Sequence, residues 1–382
     1  MSALSTRELV NLVRSAFPRF ETDSRLAVFV DIPRDAARDN GPWRTRREMA
    51  AEWAEALSSA RADIPLAGVA LIAYLDVGSN NAELPASGYM VEGPLPDSAW
   101  DLAVVGRAVP FEAVFRNYQV ILAPTEYSAT APLKNAARIH GFRAATMPGF
   151  AASMIPALRV DYAEVGRRCR VLKTLLDEAD RARIEFLVDG QKLHLMTFDL
   201  RYRSAHESGG RFPEKGMAGN LPSGETYIVP YEGEMGEGSW TRGVLPVQIG
   251  GEIVRFGIGS NRVIAVDGSG PEAEAEEALL AAEPAYGDMA ELGFGVLADF
   301  GIGPVGEILL DEKLGLHVAF GRSDHFGGTV GPSAFSSPTA VIHLDRIYIP
   351  AVQPRIAVSS VELDFPDGRI ERIMTAGKYT IF

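Results

Sequence analysis

The first half of the chain alternates short apolar runs with stretches that have the composition of helices. The runs are nearly continuous in apolar residues, as expected of strands buried in a parallel sheet; they are RLAVFVDIP (25–33), GVALIAYLD (68–76), DLAVVGR (101–107) and YQVILAPTE (118–126). Helical stretches follow the first and the last of them, RREMAAEWAEALSSA (46–60) and LKNAARIHG (133–141). This alternation predicts an α/β domain with a mostly parallel open sheet over residues 1–183.

The pattern changes after a long amphipathic helix, RVDYAEVGRRCRVLKTLLDEADRA (159–182). Beyond it, short strands and Gly/Pro turns dominate, and the dipeptide Asp189-Gly190 joins two β-rich runs, which indicates a hairpin. An acidic stretch, PEAEAEEALLAAE (271–283), is typical of a solvated helix. Residues 184–382 are therefore predicted to form a β-rich α+β domain, and the domain boundary is expected at 183/184.

The composition of the chain indicates the cellular compartment in which the protein is located. The chain has one cysteine, Cys169, which cannot form an internal disulfide and has no catalytic motif beside it. The N-terminal stretch lacks the features of a signal peptide and is predicted to be an amphipathic helix capped by Ser5 or Thr6. No apolar run is long enough to span a bilayer. We therefore expect a soluble, cytoplasmic protein.

Charge and motif searches exclude several classes of function. The net charge is −13, and a negative surface repels both nucleic acid and anionic membranes. The strands are not followed by the G-x-G-x-x-G turn of dinucleotide-binding domains. The hydrolase and nucleotide motifs G-x-S-x-G, H-E-x-x-H and G-x-x-x-x-G-K-[ST] are also missing from the sequence.

The second half contains residues suited to binding a metal ion. His343 and Asp345 are two apart on a predicted strand, so both side chains point to one face. His317 lies on another predicted strand, and Glu225 and Glu291 adjoin glycine turns where the backbone can approach an ion closely. The ordinary alternatives are a hydrogen-bonded core histidine and strand-end charges. Together the five can hold two ions, which activate a water and stabilise an oxyanion.

The motifs that contain these residues resemble those of the thermophilic-type metallo-aminopeptidases, the aminopeptidase T family. In order along the chain they are GNLPSGE (219–225), AELGFG (290–295), DEKLGLHVAFG (311–321), FGG (326–328) and IHLD (342–345). The resemblance covers the second half of the chain, whereas the first half matches only in its general α/β character.

The resemblance implies a homodimeric aminopeptidase that removes N-terminal residues from peptides, or acts on small amides, with a hydroxide held between two divalent ions (zinc, cobalt or manganese). By position, it places the metal ligands at Glu225, Glu291, His317, His343 and Asp345.

Two further residues are expected near the metal ligands. Glu312 is predicted to be a catalytic acid or proton shuttle, with a salt bridge to Lys313 as the ordinary alternative. The family has a tyrosine shortly after the position of His317, and this chain has Asp324-His325 there. Either His325 replaces the tyrosine in catalysis, or the site has diverged.

Two other functions stay open at this stage. Ring-opening dioxygenases that act on dihydroxypyridines, a branch of the same superfamily, look similar but bind one iron(II), with a histidine at the position of Glu291. The glutamate favours the hydrolase, although His317, His343 and Asp345 alone could form a two-histidine, one-carboxylate iron site. The departure at Asp324-His325 motivates the second alternative, a non-catalytic member that binds peptides in a biosynthetic pathway.

Overall fold

The computed structural model describes residues 3–20, 24–96 and 99–382. The chain forms two compact units, Met1–Gly166 with Gly210–Ser223, and Arg167–Gly209 with Gly224–Phe382. This division differs from the predicted boundary at 183/184. It falls inside a helix, and residues 210–223 return to the first unit because their strand pairs with a strand of that unit's sheet.

The first unit contains a seven-stranded sheet. Its strands are β1 (Arg25–Ile32), β2 (Gly68–Leu75), β3 (Ser87–Val91), β4 (Arg107–Pro110), β5 (Val120–Ala123), β6 (Arg143–Thr146) and β10 (Ala218–Asn220), in the spatial order β10-β6-β5-β1-β2-β3-β4. Strands β10 to β2 run parallel, and β3 and β4 add an antiparallel edge. The predicted mostly parallel sheet is therefore present.

Helices complete this unit. They are α1 (Thr6–Ala16), α2 (Gly41–Ser59), α3 (Ala99–Val105), α4 (Phe111–Asn117) and α5 (Thr130–His140), and α6 (Tyr162–Glu178) leads from the first unit into the second. Helix α1 begins with a capping box: the Ser5 hydroxyl accepts from the Glu8 amide at 3.3 Å, and the Glu8 carboxylate accepts from the Ser5 amide at 2.9 Å. The prediction of a capped N-terminal helix is confirmed.

One predicted strand is wrong. Residues 101–107 were expected to continue the sheet, but most of them belong to helix α3. Leu102 is buried, whereas Val104 and Val105 are 73% and 55% exposed. A short apolar run fits a strand and a helix equally well, and here one buried leucine is enough to anchor a helical turn.

The second unit contains two antiparallel sheets. The eight-stranded sheet has the order β14-β13-β12-β8-β7-β18-β19-β20, with β7 (Arg181–Val188), β8 (Lys192–Asp199), β12 (Arg242–Ile249), β13 (Glu252–Gly259), β14 (Arg262–Asp267), β18 (Ile356–Asp364), β19 (Ile370–Thr375) and β20 (Lys378–Tyr379). The turn at Asp189-Gly190 joins β7 to β8, which confirms the predicted hairpin.

The five-stranded sheet has the order β17-β16-β15-β11-β9. Its strands are β9 (His206–Ser208), β11 (Glu225–Ile228), β15 (Met289–Gly295), β16 (Leu316–Gly321) and β17 (His343–Ile347). The acidic helix α7 (Pro271–Ala282) and the short helix α8 (Ile308–Asp311) belong to the same unit. Within the described ranges, none of the helices is both long and apolar enough to cross a bilayer.

Candidate metal centre

Four adjacent strands of the five-stranded sheet supply the carboxylates and imidazoles predicted from the sequence. Glu225 opens β11, Glu291 lies in β15, His317 lies in β16, and β17 carries both His343 and Asp345. These strands are neighbours in the order β17-β16-β15-β11. Residues distant in the sequence are therefore brought together by strand pairing.

Small residues leave the space that these side chains occupy. In the register of the sheet, Gly293 is opposite His317, and Ala319 lies between Glu291 and Asp345. A Cβ at Gly293 would lie 1.9 Å from Nε2 of His317. The imidazole therefore crosses β15 at a point where only glycine leaves room.

The donor atoms form two overlapping groups, Glu225–Glu291–His317 and Glu291–His343–Asp345, each with its atoms within 4.8 Å of one another. Oε1 of Glu291 is 3.2 Å from Nε2 of His317, and Oε2 of Glu291 is 3.5 Å from Nε2 of His343. The same imidazole atoms lie 3.8 Å from Oε2 of Glu225 and 3.9 Å from Oδ1 of Asp345. Glu291 is thus placed as a carboxylate shared by the two donor groups.

Backbone carbonyls orient both imidazoles. Nδ1 of His343 donates to the carbonyl oxygen of Arg322 at 2.8 Å, and Nδ1 of His317 donates to that of Gly315 at 3.2 Å. A proton held on Nδ1 leaves Nε2 to face the carboxylates. Metal-binding histidines are commonly fixed in this way.

The carboxylates of the donor set favour positive charge on the groups beside them. Burial opposes the charge of His317 and His343, yet the carboxylates, Glu291 first, raise the pKa of these imidazoles to about 10 and about 9. Burial also opposes the charge of Glu291, but hydrogen bonds from both imidazoles lower the pKa of its carboxyl. Burial, followed by the charge of Glu291, raises the pKa of Asp345. A mixed carboxylate and imidazole set of this kind fits a divalent metal.

Glu312 and Lys313 lie beside the donor groups, in the turn Glu312–Leu314 before β16. Nζ of Lys313 donates to Oε1 of Glu225 at 2.8 Å and also to Glu312. Burial raises the pKa of Glu312 to about 8, against the opposing effect of Lys313. Glu312 therefore makes the salt bridge expected as its ordinary alternative, and it does so next to the candidate ligands.

His325 is near the centre but is not part of either donor group. It lies in the turn Asp324–Phe326, with its ring edge-on to that of His343 and the centroids 5.0 Å apart. Burial, followed by the charge of His343, lowers the pKa of His325 to about 4. Its neighbour Asp324 accepts from Nε of Arg322 at 2.5 Å.

The sequence reasoning missed Tyr227, which follows Glu225 by two residues and so faces the same side of β11. In the register of the sheet it is opposite Gly293. Burial, and after it the charges of Glu291 and Glu225, raise the pKa of its phenol. The spacing of the two residues on a predicted strand was the signal that could have identified it.

A buried acid pair supports the loop that carries His325. Glu232 accepts from the Ser323 hydroxyl at 2.5 Å and from the Thr329 amide at 2.6 Å. Asp288, which precedes β15, is 2% exposed. Burial, followed by the charge of Glu232, raises the pKa of Asp288 to about 8, so its carboxyl favours the protonated form beside that acid. This pair connects the start of β15 to the loop.

The thiol of Cys169 is unsuited to nucleophilic catalysis. Its thiol is buried in α6, and burial raises its pKa to about 12. A thiol that stays protonated is not a nucleophile.

Solved structures share this fold at low sequence identity. The 2,5-dihydroxypyridine dioxygenase from Pseudomonas putida KT2440 matches with a TM-score of 0.60 and 14% identity, over 99% of this chain and 99% of that chain. Wild-type AmpT (aminopeptidase T) from Thermus thermophilus matches with a TM-score of 0.57 and 14% identity, over 98% and 99%. No protein-family model matches the chain, and no curated protein does. The matches show a distant relationship of fold.

Proposed function

We propose that the chain is a metal-dependent hydrolase that removes N-terminal residues from peptides or cleaves related small amides. The observation that carries this proposal is the position of Glu291, whose two oxygens face His317 and His343 in two overlapping donor groups. When bound there, divalent ions such as zinc, cobalt or manganese would activate a water molecule and polarise the carbonyl of the substrate.

Glu312 is the residue we assign to proton transfer. Its carboxylate is held by Lys313 and lies in the field of Glu225, Asp345 and His317. A carboxylate in this position can accept a proton from water and return it to the leaving amine. His325, beside His343 at the edge of the centre, is assigned a hydrogen bond to the substrate.

The second candidate function is that of an iron(II) ring-cleaving dioxygenase. It is favoured by the match to the dihydroxypyridine enzyme, and by two imidazoles and a carboxylate, from His317, His343 and Asp345, on one sheet. Against it, Glu291 lies among these residues as an additional charged donor, whereas the two-histidine, one-carboxylate iron site has only one carboxylate.

Hydrolysis of amino-acid arylamides and dipeptides tests the proposal, with zinc, cobalt or manganese added to metal-free protein. Glu291→Gln and Asp345→Asn should each lower kcat/KM by at least about 100-fold, since even partners of metal ligands contribute 10–100-fold. Asp189→Asn is the matched control, because Asp189 lies in an exposed hairpin turn and pairs only with Arg355 among the described residues.

The alternatives predict different results in the same preparations. Oxygen consumption with a dihydroxypyridine in iron(II)-loaded protein, with no amide hydrolysis, would establish the dioxygenase. Peptide binding without turnover under every metal would overturn the hydrolase in favour of a binding protein. Full hydrolytic activity in Glu291→Gln would contradict the assignment of this metal centre as the site of hydrolysis.

A further inference from the structure

Lys313 makes the two donor groups unequal. Its side chain is 1% exposed, and its ammonium contacts Glu225 and Glu312. Glu225 belongs to only one donor group. Over the part of the chain that the structure describes, no hydrogen bond or ion pair of Lys313 reaches the members of the other group, Glu291, His343 and Asp345.

The backbone fixes this lysine in place. A Cβ at Gly295 would lie 2.2 Å from the carbonyl carbon of Lys313, so the turn that carries the lysine packs directly on the end of β15. The Gly295 amide donates to the carbonyl oxygen of Gly315 at 2.8 Å, which closes the other side of the turn. In the register of the sheet, Gly295 is opposite Glu225. The same glycine that seats the turn therefore aligns Lys313 with Glu225.

We infer that Lys313 replaces the charge of a second divalent ion. The chain would then bind one ion tightly, at Glu291, His343 and Asp345. A second ion would bind only weakly, at Glu225, Glu291 and His317. One oxygen of Glu225 is already engaged by the ammonium. An ion at the weak position would also bind beside a buried positive charge, where repulsion is poorly screened. The inference rests on the proposed function, because it takes these donors to be a metal centre.

The charges around the centre are consistent with one tight ion. Four carboxylates, those of Glu225, Glu291, Glu312 and Asp345, face the donor groups, and two divalent ions would balance their charge. The ammonium of Lys313 already offsets one of the four. A second divalent ion would therefore bring one positive charge more than these side chains balance, so it would have to bind together with a hydroxide.

Zinc titration tests the inference without relying on activity. Metal-free protein is titrated with Zn²⁺ in competition with a chromophoric chelator that buffers free Zn²⁺ at nanomolar levels. We expect one ion per chain in the wild type and two in Lys313→Met. The affinity of the second position should rise by at least about 100-fold, as expected when a unit charge a few ångströms away is removed at an effective dielectric constant of about 20. Lys192→Met, at an exposed position of β8, is the matched control and should bind one ion.

Each other outcome has a distinct meaning. Two ions of equal affinity in the wild type would overturn the inference and leave the proposed metalloenzyme intact. A folded Lys313→Met that still binds one ion would also overturn it. No ion in the wild type would overturn the proposed function itself. If circular dichroism shows that Lys313→Met is unfolded, Lys313→Gln replaces it, and the wild-type titration alone decides whether the two positions are unequal.

Discussion

At Gly293 the absence of a side chain allows the centre to form. The residue is two positions after Glu291, so a side chain there would point to the face that holds the carboxylate. That space is occupied by the imidazole of His317, which is itself fully buried. The glycine therefore determines whether His317 can reach Glu291.

Gly293→Ala should displace His317. A Cβ 1.9 Å from Nε2 forces the buried imidazole to turn away, and overpacking of this kind typically costs about 1–3 kcal/mol of unfolding free energy. Zn²⁺ titration and urea unfolding would measure the expected losses of affinity and stability. Gly303→Ala is the control, because a Cβ there meets nothing within 4 Å. Wild-type affinity and stability in Gly293→Ala would contradict the structure at this point.

The sequence was sufficient to propose the ligands but not the role of Lys313. Glu225, Glu291 and His317 lie in recognisable motifs, and the structure brings them together. Lys313 was considered only as a partner of Glu312. Its contact with Glu225 depends on how a turn packs against Gly295, and this is a tertiary feature that no local pattern encodes.

At the scale of elements, the loop from Ser323 to Thr329 owes its position to an acid that lies far from it in sequence. Glu232 accepts hydrogen bonds from both ends of this loop. Arg203 donates to the same carboxylate at 3.0 Å. The loop is therefore held through polar contacts in a buried setting, where losing one partner is costly.

Asp288 should make stability depend on pH. Its pKa is about 8 in the folded chain and near the ordinary value of 3.8 when unfolded, so the folded state binds the proton more tightly. The resulting stabilisation is complete below the unfolded pKa and is lost as the pH rises through about 8. Asp288→Asn should therefore flatten the fall in unfolding free energy between pH 5 and pH 8, by at most about 1.4 kcal/mol per pH unit.

Urea unfolding of chelator-treated proteins would measure this difference. Asp189→Asn is the control, because Arg355 lowers the pKa of that exposed carboxyl and its titration lies below the pH range tested. If the unfolding free energy of the wild type and of Asp288→Asn had the same slope against pH, Asp288 would not be protonated in the folded chain.

Elements with long, clear patterns were predicted well, and short ones were not. The run at 25–33 became β1, and that at 68–76 became β2, because nearly continuous apolar residues suit a strand in the interior of a parallel sheet. The run at 101–107 became part of a helix, and strand β3, which pairs with the edge strand β4, was not anticipated. In short segments, tertiary packing decides between helix and strand.

At the scale of the molecule, the discontinuous organisation of the chain was beyond prediction. Residues 210–223 belong to the first unit, although the sequence around them is part of the second. Strand β10 has only three residues and joins the first sheet beside β6. Pairing between segments so far apart leaves no periodic signal in the sequence. The sequence could therefore predict only domains that consist of one continuous segment each.

Hydrogen exchange would locate ion binding within the chain. Added Zn²⁺ should slow exchange of the amides of β15, β16 and β17, because an ion that binds only the closed state opposes local opening. At 100 times Kd this corresponds to about 2.7 kcal/mol. Strands β1 and β2 carry none of the candidate donors and serve as internal references. Equal protection of all these strands, or none at β17, would contradict the placement of the centre.

The spread of the donors over four adjacent strands has a consequence for how the protein is made. Strand β17 enters the sheet only after the chain has been synthesised to residue 347, and it brings both His343 and Asp345. A chain still being synthesised therefore offers Glu225, Glu291 and His317 at most. An ion bound as proposed would reach its full set of donors only after β17 has paired, so its binding would report the completion of this sheet.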